Sequence, residues 1–198
     1  MTRTDLINLL IQYYGYKSYL EIGVGDANDN FNLIDIETKH GIDPSGFGYI
    51  THKMPSDDFF ISNRNKYDII FVDGLHCDDQ VTRDINNSLL YLNPNGTIVV
   101  HDCNPLKEIR QRVPRAIGGW YGTVWKAWVR FRQQLPPKFE MFVVDIDTGI
   151  GIMRDNNNGM HLDVISEEDL TFDNLKRNRV KWLNLKPVDY LRDMLELI

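Results

Sequence analysis

Apolar residues fall into short continuous runs separated by amphipathic stretches. Ser18 to Ile22, Tyr67 to Asp73 and Thr97 to His101 are β-branched and aromatic runs of the length of buried strands. His40 to Pro44 reads as a further short strand ending in an acid. Between these lie helical patterns. Asp5 to Ile11 is amphipathic, with Thr4 as its predicted N-cap and Gly15 as its end. Asn28 to Ile36 predicts a short helix, Ser56 to Phe60 a capped helix start, and Asp79 to Leu92 a helix with Val81, Ile85, Leu89 and Leu92 on one stripe. Asn93 to Gly96 is a turn by composition. Phe139 to Asp145 and Gly149 to Arg154 flank a short turn and predict a β-hairpin.

The β-α alternation predicts an α/β fold: Rossmann-like, doubly wound, mostly parallel, seven-stranded, with a terminal antiparallel hairpin. No repeat or linker divides it, so residues 1–198 are expected to form a single domain. Within it, 105–137 reads as a helical insertion with helices near Leu106 to Val113 and Thr123 to Gln134. Residues 166–198 read as a helical tail carrying Val188, Leu191, Met194 and Leu195 as an apolar stripe. Ligands in such sheets sit beyond the C-terminal strand ends. Gly23, Gly25, Asp43, Asp73 and Asp102 fall there, with His76 and His101 adjacent. Tyr19 to Asp26 runs a strand straight into a glycine-rich turn, where backbone without Cβ lets a ligand approach.

Charge and cysteine content narrow the field. A net charge of −6 over 198 residues lacks the basic footprint of a nucleic-acid binder. One local cluster, Arg110, Arg112, Arg115, Lys126, Arg130 and Arg132, reads as a solvated helix face, with a local nucleic-acid-binding patch as the alternative. There is no apolar run long enough for a membrane span and no signal-peptide pattern. Two cysteines are too few for a disulfide scaffold, so a reduced, cytoplasmic setting is expected.

The ordered segments Tyr19 to Gly25, Gly41 to Pro44, Ser56 to Phe60, Phe71 to His76, Arg83 to Ile85 and Val99 to Pro105 carry a resemblance. With Val124 to Ala127 and the hairpin, they cover nearly the whole chain. The chain resembles class I S-adenosylmethionine-dependent methyltransferases, in particular a small bacterial group with Asp-Gly-Leu-His and His-Asp strand ends. The resemblance implies that Glu21, Gly23 and Gly25 line the methionine side of the cofactor and that Asp43 holds the ribose hydroxyls. It implies that Asp57 or Asp58 meets the adenine amino group and that Asp73 sits near the transferred methyl. Each residue has a plainer reading: Asp43 as a turn initiator, Asp57 and Asp58 as helix caps, Glu21 as an anchor of the glycine loop.

Methyl transfer to a hydroxyl needs the acceptor's proton removed by a general base or its pKa lowered by a divalent cation. His76 is the base candidate, and the catalytic set is Asp73, His76 and Asp102. Asp73, His101 and Asp102 form the candidate metal set, in which a histidine stands where related O-methyltransferases carry a second acid. Imidazole suits transition metals better than Mg²⁺. Cys77 and Cys103 beside His76 and His101 add a zinc set without the usual spacing. Trp120, Tyr121, Trp125 and Trp128 are either an aromatic wall over the acceptor or core packing. The Asp/Asn-Pro-Pro-aromatic signature of base-directed amino methyltransferases is absent. The expected activity is therefore O-methylation of a small-molecule or carbohydrate acceptor. A nicotinamide-dependent dehydrogenase, disfavoured by Asn28 where a third glycine is required, and a non-catalytic cofactor-binding accessory protein stay open.

Overall fold

The computed structural model describes residues 1–116 and 118–195. The chain divides into two compact units, one of Met1–Leu75 with Asp79–Val100, the other of His76–Asp78 with the chain from His101 onward.

In the first unit, β1 (Ser18–Ile22) pairs in parallel with β2 (Thr38–Ile42) on one side and β3 (Tyr67–Val72) on the other. β3 pairs in parallel with β4 (Leu92–Val100). β1 and β3 are buried along nearly their whole length, as continuous apolar runs require. α1 (Arg3–Tyr14), α2 (Ser56–Ser62) and α3 (Asp78–Tyr91) supply the helices.

Several local expectations are corrected. α1 is capped by Thr2, not Thr4: Thr2 accepts from the Asp5 amide while Asp5 accepts from the Thr2 amide. This reciprocal box starts the helix earlier than the apolar pattern does. Asn28 to Ile36 forms only a 3₁₀ turn at Phe31–Leu33. Asp26 takes the Asn28 amide and Asn28 takes the Asn32 side chain, so local side-chain bonds displace helix there. Ser56 does not cap α2; its hydroxyl goes to Asp84. The Asn93 to Gly96 turn lies inside β4 as a register break. Pairing jumps from Tyr67–Leu92 to Ile69–Thr97, and Asn95 adopts a left-handed φ of 63°.

In the second unit, β5 (Phe139–Val144) and β6 (Ile150–Asp155) form the predicted antiparallel hairpin, and β7 (Leu185–Lys186) pairs in parallel with β5. α4 (Val124–Gln134) buries Trp125 and Trp128 completely. α5 (Phe172–Leu183) and α6 (Val188–Met194) make up the tail. Residues 196–198 of the expected helical tail, and residue 117 of the expected insertion, lie outside the described residues. The expected helix at Leu106 to Val113 is a single 3₁₀ turn, Glu108–Gln111. Leu106 is 71% and Val113 53% exposed, so there is no apolar face to bury, and Pro114 disfavours helix at Val113.

The chain is thus α/β and Rossmann-like, with seven strands, mostly parallel, and an antiparallel hairpin near its end. Among the described residues no helix is long and apolar enough to cross a membrane.

Candidate functional site

The glycine turn after β1 lies in the first unit. Gly23 has φ +87°, and a Cβ built there would fall 2.3 Å from the Asp73 carbonyl oxygen and 2.4 Å from the Gly74 Cα. Gly23 is therefore dictated by the end of β3 passing against it. Gly25 differs: φ is +60°, and nothing lies within 4 Å of its would-be Cβ. Its face is open to a ligand.

Five of the six amides from Gly23 to Asn28 are spent inside the fold. Gly23 and Val24 both donate to the Ile42 carbonyl, at 2.8 and 3.3 Å. Gly25 donates to the Asp43 carboxylate at 2.9 Å, Ala27 to the Phe47 carbonyl at 3.0 Å, and Asn28 to the Asp26 carboxylate at 3.0 Å. A pyrophosphate site needs such amides free and a helix N-terminus behind them. This turn has committed all but the Asp26 amide of that stretch and leads into a 3₁₀ turn instead.

Asp43 follows β2 directly. Besides the Gly25 amide it accepts from Ser45 and Gly46, at 2.8 and 2.7 Å. A carboxylate has about four lone-pair sites, so three amides leave room for one hydroxyl donor. Asp43 is the turn initiator, and it keeps acceptor capacity beside the open face of Gly25.

Glu21 is buried. It accepts from the Tyr19 hydroxyl at 2.5 Å and the Asn30 amide at 2.9 Å. These partners are side chains, not the loop amides expected of an anchor. Burial pushes its carboxyl up to about 7, opposed by those hydrogen bonds and reinforced by Asp73. The folded state therefore holds the proton more tightly than the unfolded chain. Stability is full below the unfolded value near 4.5 and declines as pH rises through 7. The gap corresponds to about 3 kcal/mol. Glu21→Gln, which cannot ionise, is expected to lose that much less stability than wild type between pH 5 and 8. Urea midpoints at the two pH values check this; parallel losses would show that Glu21 does not titrate as described.

Asp73 closes β3, its amide bonded to the Ile22 carbonyl at 2.8 Å. Asp57 is engaged by Arg83 at 3.2 Å and by Gln80 at 3.4 Å, while Asp58 is exposed on the same first turn of α2. Neither caps the helix with its side chain. One buried acid escaped the sequence reading. Asp84 on α3 accepts from Ser56 at 2.6 Å and Gln80 at 3.1 Å, and burial raises its carboxyl. Its place between Val81 and Ile85 on the buried stripe was the available signal.

The second unit holds His76 and His101. His76 Nδ1 lies 2.8 Å from the Trp120 carbonyl and 3.1 Å from Asp102 Oδ2. Both partners are acceptors, so the proton belongs on Nδ1 and Nε2 is the basic nitrogen. The ring stacks on Trp120 at 5.5 Å. Gly122 lets the chain pass here: a Cβ would fall 1.8 Å from the His76 carbonyl oxygen. Asp102 is buried with a left-handed φ of 59°, and its other oxygen accepts from the Thr148 hydroxyl. The hairpin turn is zipped to this segment by the Cys103 amide on Gly149 and the Asn104 amide on Thr148. His101 is buried between two carboxylates, Asp102 at 3.5 Å and Asp147 at 3.7 Å.

Ligand atoms of His76 and Asp102 lie within 4.8 Å of each other, close enough to share an ion; His101, in the expected metal set, is not part of that grouping. Cys103 is fully buried and burial pushes its thiol up, which disfavours the thiolate a zinc site needs. Trp125 and Trp128 are core residues, Trp125 stacked on Trp182 at 6.3 Å. Trp120 and Tyr121 are partly exposed.

Residues 26–103 match a family described as a methyltransferase domain. No curated protein sequence matches the chain. Among solved structures, the Bacillus cereus O-methyltransferase in complex with SAH is 12% identical, with 79% of this chain and 82% of that one covered at a TM-score of 0.58. SAH-bound Podospora anserina PaMTH1 is 15% identical, covering 78% of each chain at 0.57. The Streptomyces achromogenes O-methyltransferase TomG, in complex with SAM, is 13% identical, with 78% and 79% covered at 0.54. At these identities the structures show a shared fold.

Proposed function

We propose that the protein is an S-adenosylmethionine-dependent O-methyltransferase acting on a small-molecule or carbohydrate hydroxyl. The observation that carries the cofactor assignment is the glycine turn whose amides are nearly all spent. With five of the six amides from Gly23 to Asn28 engaged it has too few left to cradle a pyrophosphate, yet it offers an open face at Gly25 and an acid at Asp43. That suits a nucleoside cofactor without phosphates and argues against a dinucleotide. The reading takes the whole chain as one methyltransferase domain.

When bound, S-adenosylmethionine supplies a methyl on positively charged sulfur and its own leaving group. The protein's part is binding, orientation and proton removal. Gly25 and Asp43 would receive the nucleoside. Asp73, three residues before His76, is tethered within about 11 Å of it by chain length alone, which suits a place beside the methyl. His76, with its proton held on Nδ1 by Trp120 and Asp102, takes the acceptor's proton on Nε2. Thr148 holds Asp102 in its left-handed conformation and so orients the base.

A divalent cation would draw on His76 and Asp102. Both Asp102 oxygens already hold partners in Thr148 and His76. The base route is the better supported one, because the two acceptors that hold the proton on Nδ1 of His76 are in place.

Thermal shift tests the cofactor. SAH at hundredfold excess over its Kd is expected to raise the melting temperature by roughly 5–10 °C, and NAD to leave it unchanged. A rise with NAD and none with SAH overturns the assignment.

A further inference from the structure

Between Pro105 and Lys138 the chain carries eight Lys or Arg residues against one acid, Glu108, in a protein of net charge −6. The structure divides this basic segment by role. Arg130 is spent on Asp78 and Glu167, at 2.5 and 2.6 Å. Arg132 is buried, donating to the Lys181 and Trp182 carbonyls at the end of α5. Those two are architectural. Arg110 and Arg112 are different.

The Arg110 guanidinium is held in place without being neutralised. One terminal nitrogen donates to the Gly118 and Gly119 carbonyls at 2.7 and 2.8 Å, and the group lies 5.5 Å from the Tyr121 ring centre. The Tyr121 and Gly122 amides return to the Arg110 carbonyl, at 2.9 and 3.2 Å. Gly119, at φ +61°, admits the guanidinium: a Cβ there would fall 1.9 Å from the Arg110 terminal nitrogen. Among the described residues no carboxylate pairs with Arg110 or Arg112. Arg112 is exposed, and its carbonyl takes the Trp120 indole N–H at 2.6 Å. Trp120 in turn stacks on His76. A chain of contacts thus runs from the Arg112 main chain through Trp120 to the proposed base, while Arg110 holds the residues on either side of Trp120, Gly119 and Tyr121.

We propose that Arg110 and Arg112 recognise an oxyanion of the methyl acceptor, so that the acceptor carries a phosphate or carboxylate near the hydroxyl that is methylated. This rests on the methyltransferase reading for its consequence but not for the binding itself. A guanidinium already ordered by carbonyls and a ring gives up little freedom when an anion arrives, and its remaining N–H donors suit planar or phosphate oxygens.

The test uses the full chain, with and without SAH, and follows the Trp120 indole N–H by NMR. Inorganic phosphate and acetate are titrated separately against chloride at matched ionic strength. A saturable shift is expected, with Arg110→Met and Arg112→Gln each weakening it about tenfold. Tighter phosphate assigns a phosphorylated acceptor, tighter acetate a carboxylic acid. Arg112→Gln guards against misfolding, because its exposed side chain holds none of the loop. No saturable shift with either anion, or a response unchanged in both variants, overturns the proposal. If SAH fails to bind while the anion response persists, the methyltransferase reading falls and the anion element stands.

Discussion

His76→Ala is expected to lower kcat by about 10²- to 10⁴-fold, the usual worth of a positioned general base, while SAH affinity stays within a few-fold of wild type. The expectation follows from where the proton sits. Two oxygen acceptors face Nδ1, so the neutral ring carries its hydrogen there and presents Nε2 as base. Asp102 is buried, and its left-handed backbone is held by Thr148, so the imidazole is oriented by a carboxylate that cannot easily turn away. His76→Gln, which fills similar space without a basic nitrogen, should match the alanine variant and separates proton transfer from loop packing. Steady-state turnover of an accepted substrate, with SAH binding measured alongside, decides it; normal turnover in either variant removes His76 from the base role.

Gly23→Ala is expected to cost about 3 kcal/mol or more, from a strained left-handed backbone and a clash with packed main chain. That lowers the melting temperature by roughly 6–12 °C for a chain this size. The obstruction is backbone, the Asp73 carbonyl at 2.3 Å, which cannot rotate away as a side chain would. Gly25→Ala meets nothing and should cost only about 1 kcal/mol. Calorimetric melting of both variants checks the contrast. Equal losses would mean that the two glycines share one role and that the end of β3 does not fix Gly23.

The parts of the fold legible in sequence are those decided locally. Ile69 to Val72 is continuously apolar, β-branched and aromatic, the pattern of a buried strand, and the acids Asp43, Asp73 and Asp102 stand at the ends of strands that the pattern already marks. The helices at Asn28 to Ile36 and Leu106 to Val113 failed for a local reason too. Asn and Asp side chains bond the nearby backbone or one another in the first, and the second has no face to bury. The site was legible as residue types at strand ends but not as partnerships. His76 finds its carbonyl partner 44 residues away at Trp120, and Asp102 its hydroxyl 46 residues away at Thr148. No periodicity records such contacts. Glu21 was read as facing the cofactor, and only packing shows it enclosed by Tyr19 and Asn30.

The central claim is that this glycine turn, with nearly all its amides consumed within the fold, holds a nucleoside cofactor without phosphates. Calorimetric titration of SAH and of NAD into the wild-type chain, with Asp43→Ala beside it, tests that most directly. The account predicts one saturable SAH site, at least tenfold weaker in Asp43→Ala, and no heat of binding from NAD. Saturable NAD binding, or SAH affinity untouched by the loss of Asp43, would contradict it.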